Sequence, residues 1–131
     1  MSTRCLIGRK IKDNKVEYIY CHHDGYLDGV GEILKTHYTN DSVIDKLMAL
    51  GDLSALGEIA DSNPNQFNYL GNIDYKLCAA YRDNGEEDVD STIITEKKYI
   101  DKLSTNIWME YLYLWDGEKW CYYCEGKWRA V

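Results

Sequence analysis

Positive charge and long apolar runs are both scarce in this sequence. The 15 Lys and Arg residues stand against 22 Asp and Glu residues, which gives a formal net charge of −7. Such a chain repels a phosphate backbone at long range, so we expect no direct, sequence-independent nucleic-acid binding. No apolar stretch approaches the roughly 18 residues of a membrane-spanning helix, and the opening MSTRCLIGRK lacks the apolar core of a signal peptide. We therefore expect a soluble protein that stays in the cytoplasm and does not bind membranes.

Proline and phenylalanine occur once each, whereas the chain has 12 tyrosines and 4 tryptophans. Tyr and Trp combine a large apolar area with a polar group, so they suit half-buried faces, base-stacking sites and interfaces, including that of a homodimer. The 131 residues match the length of a single domain, 1–131, which is large enough to bury a core of its own.

Residue patterns predict strands near both ends of the chain and two helices between them. Alternation in CLIGRK and VEYIYC, separated by KDNK, predicts a first hairpin. Helical spacing predicts one helix near residues 29–37 and a second over TNDSVIDKLMALGD, with Asn40 or Asp41 as N-cap and Gly51 as the stop. Two β-prone runs around the Asp-Gly pair of LWDGEKW predict a closing hairpin.

The segments between these elements predict shorter pieces of structure. IDYKLCAAYR predicts a third strand with Tyr75, Leu77, Ala79 and Tyr81 on one face; STIIT predicts an edge strand, and EKKYIDKL one or two helical turns. Residues 54–72, with the single proline, and the acidic DNGEEDVD are predicted to be loops. The predicted fold is α+β: a mainly antiparallel sheet with two helices inserted after the N-terminal hairpin and a C-terminal β-hairpin.

The run NIWMEYLYLW is apolar on both of its predicted faces, which is typical of a central strand covered on both sides. Alternation places Ile107, Met109, Tyr111, Tyr113 and Trp115 on one face, and Trp108, Leu112 and Leu114 on the other.

Residue types that zinc prefers occur at Cys21, His22 and His23 and in the segment CYYC. A C-x-x-C pair in a strand points its sulfurs to opposite faces, so the cysteines of CYYC do not converge on an ion. The same geometry prevents a catalytic relay among Cys21, His22 and Asp24, because neighbours on a strand face apart. We therefore predict no metal and no other cofactor, and we favour a protein that is not an enzyme.

The stretch CHHDGYLDGVG lies between a predicted strand and a predicted helix. Free backbone N–H groups near Gly29 and Gly31 would hold an anion there, and His22 or His23 would add a donor. The alternative is that these glycines serve only turn geometry and close packing of the helix on the sheet. The spacing matches no standard phosphate-binding motif, so both interpretations stay open.

Two of the four arginines fall at predicted strand ends. Arg4 precedes the first strand, and Arg82 ends the third beside Tyr81. A guanidinium group in such a place binds a phosphate bidentately or stacks on a base. The alternative for Arg82 is a salt bridge to an acid such as Asp24 or Asp83. The predicted ligand-binding residues are Arg4, Tyr20, His22, His23, Asp24, Tyr26, Gly29, Gly31, Tyr81 and Arg82.

Several segments together resemble a family of small proteins from bacteriophages and mobile elements: MSTRCLIG, VEYIYCHHDGY, GVGEILKTHY, LMALGDLSALGE, AAYRDNGE and YLYLWDGEKW. The resemblance covers most of the chain and transfers no catalytic residue. It implies an accessory role in the infected host cytoplasm, often against an antiviral defence. The predicted layout is also similar to that of phage sponge proteins, which bind nucleotide-derived immune signals, such as the cyclic ADP-ribose isomers of the Thoeris system, without cleaving them.

The leading hypothesis is therefore an anti-defence protein that sequesters a small phosphorylated, nucleotide-type signal. A second hypothesis is an acidic, DNA-mimicking inhibitor that binds a host defence protein such as a nuclease, in the manner of some anti-CRISPR proteins. A third is an enzyme that degrades the same signal.

Overall fold

The computed structural model describes residues 2–62 and 74–131. The strands within these ranges are β1 (Arg4–Ile11), β2 (Lys15–Cys21), β3 (Leu53–Ala55), β4 (Ile59–Ser62), β5 (Leu77–Ala80), β6 (Thr92–Thr95), β7 (Met109–Trp115), β8 (Trp120–Cys124) and β9 (Lys127–Ala130). The helices are α1 (Glu32–His37), α2 (Asp41–Leu50) and α3 (Glu96–Thr105). A π-helical turn over Leu27–Gly31 leads into α1, and a 3-10 turn over Tyr81–Asn84 follows β5.

The strands form one sheet in the order β4-β5-β3-β2-β1-β7-β8-β9, and β6 pairs with part of β2. Most pairs are antiparallel, but β1–β7, β2–β3 and β4–β5 are parallel. The predicted mainly antiparallel α+β fold is therefore confirmed in its coarse form, whereas the sheet is mixed. Parallel neighbours need a crossover. Helix α3 supplies one, because it returns the chain from β6 to the sheet edge at which β7 begins.

Both faces of the sheet are covered. Helices α1 and α2 lie on one face, where Leu34 and Leu47 pack against Ile7 and Ile19 of the central strands. Helix α3 lies on the other face, and its buried Tyr99 belongs to a second cluster. That second cluster contains Leu6, Val16, Met109, Leu112 and Leu114. The prediction that β7 is a central strand covered on both sides is thus confirmed.

Local signals set the helix boundaries. The Asn40 side chain accepts a hydrogen bond from the Val43 N–H at 3.0 Å, and Gly51 ends α2 with a φ of 75°, as predicted for this helix. The first predicted helix begins as a π-helical turn and becomes regular only at Glu32. The predicted turns in EKKYIDKL extend to a full third helix, α3, whose N-cap is Thr95. None of the helices in the described ranges is long and apolar enough to cross a membrane.

Two regions differ from the predicted elements. Residues 54–72 were expected to be a loop, yet β3 and β4 occupy parts of residues 53–62. Residues 63–72 of that predicted loop, including Pro64, lie outside the described residues. The third predicted strand is limited to Leu77–Ala80, because Tyr75 precedes it and Tyr81 enters the 3-10 turn.

Met109 lies on the opposite face from the one predicted. It packs with Leu112 and Leu114 on the α3 side, whereas Tyr111 and Tyr113 face the other cluster. The β1–β7 register shifts at the start of β1, where an irregularity interrupts simple alternation.

Candidate ligand-binding site

Five strands begin or end together at one edge of the sheet. Strands β1 and β7 begin there at Arg4 and Met109, which are paired. Strand β2 ends there at Cys21, opposite the start of β3 at Leu53, and β5 ends at Ala80, also opposite Leu53. We call the side chains that flank these ends the rim. The rim consists of Arg4, Tyr20, His22, His23, Tyr81 and Trp108.

The hairpin register explains why Arg4 and His22 face each other. Cys5 pairs with Cys21, so the next residues outward are Arg4 and His22. The chain continues in extended form past β2, because the His22 N–H donates to the Leu53 carbonyl at 3.0 Å. The first strand therefore brings a guanidinium group to the imidazole groups that follow the second strand.

Hydrogen bonds and ring contacts hold the two histidines. The Tyr20 hydroxyl and His22 Nδ1 are hydrogen-bonded at 2.6 Å, and His23 Nδ1 lies 2.9 Å from the Ser2 hydroxyl. The two imidazole rings meet edge to face, with centroids 4.6 Å apart. These contacts limit the orientations of both rings before any ligand arrives.

Arg4 has an aromatic partner and no acidic one among residues 2–62 and 74–131. Its Cζ atom lies 5.4 Å from the centroid of the Trp108 ring, a cation–π contact. The other three arginines all form ion pairs: Arg9 with Glu17 and Asp45, Arg82 with Asp90, and Arg129 with Glu125. In a chain with a net charge of −7, Arg4 thus leaves its positive charge available at the rim.

Burial is the main cause of the pKa shifts of the neighbouring groups, and the Arg4 charge makes a smaller contribution to each. Burial lowers the pKa of His22, and the nearby His23 and Arg4 lower it further. Burial raises the pKa of Tyr20 to about 12, although Arg4 opposes that rise. Burial also raises the pKa of Tyr81, again with Arg4 acting in the opposite direction. At neutral pH the two phenols are therefore protonated donors within the electrostatic reach of Arg4.

The glycine-rich turn satisfies its own backbone groups. The Gly29 and Gly31 N–H groups donate to the Tyr26 carbonyl at 3.0 and 3.3 Å, and the Val30 N–H donates to the Asp24 carbonyl at 2.8 Å. The Tyr26 hydroxyl donates to the Asp24 carboxylate at 3.3 Å. The phosphate cradle predicted at Gly29 and Gly31 is not formed, because these N–H groups are already bonded within the turn. Turn geometry and close packing account for these glycines.

Arg82 forms its contacts within the protein and does not join Arg4 as a free guanidinium group, contrary to the prediction. Its guanidinium group donates to the Ala49 carbonyl at 2.7 Å, at the end of α2, and to the Asp90 carboxylate at 2.5 Å. The alternative prediction of a salt bridge is correct in kind, but the partner is neither Asp24 nor Asp83. Asp83 instead accepts a hydrogen bond from Ser62. Of the two arginines predicted to be available to a ligand, only Arg4 lacks an acidic partner in the described residues.

Sequence patterns missed two residues at or beside the rim. The apolar alternation predicts Trp108 on a covered strand face, yet Trp108 precedes β7 and is exposed. The signal for this position is Asn106, whose side chain accepts a hydrogen bond from the Trp108 backbone N–H at 3.0 Å in a turn. The Asp52 side chain accepts a hydrogen bond from the Tyr20 backbone N–H at 2.9 Å. Tyr20 lies between the part of β2 that pairs with β6 and the part that pairs with β3. No local pattern indicated this second contact.

Within the described ranges, no three His, Cys, Asp or Glu side chains converge in a way that would hold a metal ion. Comparison with family models, with curated proteins and with solved structures found no match to this chain.

Proposed function

We propose that the rim binds a small phosphorylated, nucleotide-derived ligand and holds it without cleaving it. In the phage setting that the sequence resemblance implies, such binding would remove an immune signal from the host cytoplasm. The protein would then act by sequestration, as a sponge.

The observation that carries this proposal is the state of Arg4. Arg4 is half-buried, contacts the Trp108 ring and has no carboxylate partner in the described residues, although acids outnumber bases in this chain. A bound phosphate would supply the missing anion through charge-assisted hydrogen bonds. The charge of Arg4 therefore favours an anionic ligand whose oxygen atoms accept hydrogen bonds.

The arrangement of the histidines favours binding over cleavage. Acid–base cleavage of a phosphodiester needs two proton-transfer groups that flank the reacting phosphate. His22 and His23 instead contact each other directly, with ring centroids 4.6 Å apart, and each uses its Nδ1 atom within the protein. This packing leaves no space for a phosphate between the two rings.

Calorimetric titration with a panel of cyclic nucleotides and ADP-ribose derivatives tests the proposal. We expect Arg4→Ala to weaken binding by about tenfold or more, which is the effect of losing a charge-assisted hydrogen bond. Arg82→Ala is the matched control, because it also removes one arginine but one that pairs with Asp90. Its affinity should equal that of the wild type.

Two results would contradict the proposal. The first is the absence of binding heat with every ligand from protein that is folded by circular dichroism. The second is the chromatographic detection of an altered ligand after release, which would show cleavage and favour an enzyme.

A further inference from the structure

We infer that Trp108 is the base-stacking platform of the rim, so that the ligand carries a heteroaromatic base as well as a phosphate. This inference rests on the proposed function and narrows its ligand class to nucleotides, as opposed to inorganic or sugar phosphates.

Trp108 differs from the other tryptophans in its exposure. Its side chain is 62 % exposed, whereas Trp115 and Trp120 are 5 % and 4 % exposed. An indole is among the largest apolar groups a protein has, and exposed tryptophans are common where a partner ring or surface completes the contact. The indole of Trp108 therefore offers an open aromatic surface beside the only arginine that lacks an acid partner in the described residues.

The backbone around Trp108 is held before a ligand binds. The Asn106 side chain accepts the Trp108 N–H at 3.0 Å, and the Asn106 carbonyl accepts the Met109 N–H at 3.1 Å. This turn joins the end of α3 to the start of β7, whose first residue pairs with Arg4. A tryptophan on a backbone held in this way loses less conformational entropy on stacking than one on a mobile loop.

The position of the ring suits a base attached to a phosphate at Arg4. Arg4 contacts the Trp108 ring and acts electrostatically on Tyr20, His22 and Tyr81. Strand β1 lies between β2 and β7, so Arg4 lies between Trp108, which precedes β7, and His22, which follows β2. In a nucleotide a single ribose separates the base from its phosphate, which matches this order of groups.

Tyr26 is less suited to the role, although it is also exposed. Its hydroxyl is bound to Asp24, and the charges of Asp24 and Asp28 raise the pKa of its phenol. An anionic ligand would be repelled there. The same ligand would be attracted at Trp108, where the neighbouring charge is Arg4.

Fluorescence and calorimetric titrations of the full chain test this inference. The probes are ADP-ribose and 3′,5′-cyclic AMP, which have a base, and ribose 5-phosphate and pyrophosphate, which have none. We expect the base-bearing probes to quench tryptophan emission. We expect Trp108→Ala to weaken the binding of these probes by about tenfold, as for the loss of one stacked base. Trp108→Phe should retain part of the affinity. Affinity for the base-free probes should not change.

Ile107→Ala is the matched control, because Ile107 is the adjacent residue and is 86 % exposed. Its affinities should equal those of the wild type. If Trp108→Ala binds the base-bearing probes like the wild type while Arg4→Ala weakens them, the inference is wrong and the proposed function stands. If no probe binds to the wild type, both are wrong. A wild-type dimer that Trp108→Ala dissociates would also overturn the inference, because the indole would then serve contact between copies.

Discussion

The hydroxyl of Tyr113 donates a hydrogen bond of 2.7 Å to the backbone carbonyl of Gly25, a residue 88 positions away. Tyr113 lies on the central strand β7, and Gly25 begins the turn that follows the histidines of the rim. Burial is the main reason that the pKa of Tyr113 is raised, so its hydroxyl stays a donor. This bond therefore ties the segment that carries His22 and His23 to the core of the sheet.

Removal of this hydroxyl should destabilise the protein. Tyr113→Phe leaves the buried Gly25 carbonyl without its donor, and we expect a loss of about 1–3 kcal/mol in the free energy of unfolding. Urea denaturation measures this loss, with an unchanged slope if the transition remains two-state. Tyr111→Phe is the control, because Tyr111 stacks on Tyr113 but its hydroxyl forms no hydrogen bond within the part of the chain described. Equal stability of the two variants would contradict the assigned role.

The glycines of the turn should differ in their tolerance of a side chain. A Cβ at position 29 would overlap with the Asp24 carbonyl oxygen, a backbone atom that accepts a hydrogen bond from the Val30 N–H. A Cβ at position 31 would lie 3.2 Å from the Tyr113 hydroxyl, which is a smaller overlap. We expect Gly29→Ala to cost about 1–3 kcal/mol and Gly31→Ala less. Thermal unfolding monitored by circular dichroism compares the stability losses of the two variants. A larger loss for Gly31→Ala than for Gly29→Ala would show that packing in the turn does not explain Gly29.

The pKa of His22 makes stability depend on pH. Burial, His23 and Arg4 lower this pKa in the folded state, whereas the unfolded chain has the ordinary value of about 6.5. The unfolded state then binds more protons between the two values. The contribution of His22 to stability is therefore complete above about pH 6.5 and falls as the pH drops toward the folded pKa.

NMR titration of the imidazole signals measures this shift directly, with unfolding curves at pH 7.5 and 5.5 as the second readout. We expect the pKa of His22 to lie below about 6.5 in the wild type and to move upward in Arg4→Ala, because one of its positive neighbours is gone. Arg82→Ala should leave the His22 pKa unchanged. A His22 pKa that is insensitive to Arg4→Ala would show that Arg4 does not act on the histidine.

Local turn and helix-capping preferences explain the elements that were predicted correctly. In the first hairpin, Asp13 and Asn14 adopt φ values of 61° and 56°, and these residue types tolerate that conformation in a tight turn. The ends of α2 likewise depend on Asn40 and Gly51, each within a few positions of the groups that it caps. Such signals lie within a short window of sequence and do not depend on the rest of the fold.

The candidate site was predicted only in part, because some of its residues are brought together by local pairing and others by the tertiary fold. Arg4 and His22 flank a hairpin, so the register brings them together and the sequence already implies their proximity. Arg82 had several acids within reach, and the path of the following loop selected Asp90. The apolar alternation predicted that Trp108 lies within the strand, but the turn at Asn106 places it before the strand begins.

By itself, the sequence determined the hairpins, the capped helix α2 and the side chains that stand near strand ends, because these follow from the conformational preferences of neighbouring residues. Only the tertiary structure decided the parallel pairing of β1 with β7, the face on which Met109 lies and the lack of an acid partner for Arg4 among the described residues. These features depend on where a crossover returns the chain and on which distant charges meet. An alternating pattern specifies the two faces of a strand but neither its direction nor its neighbours.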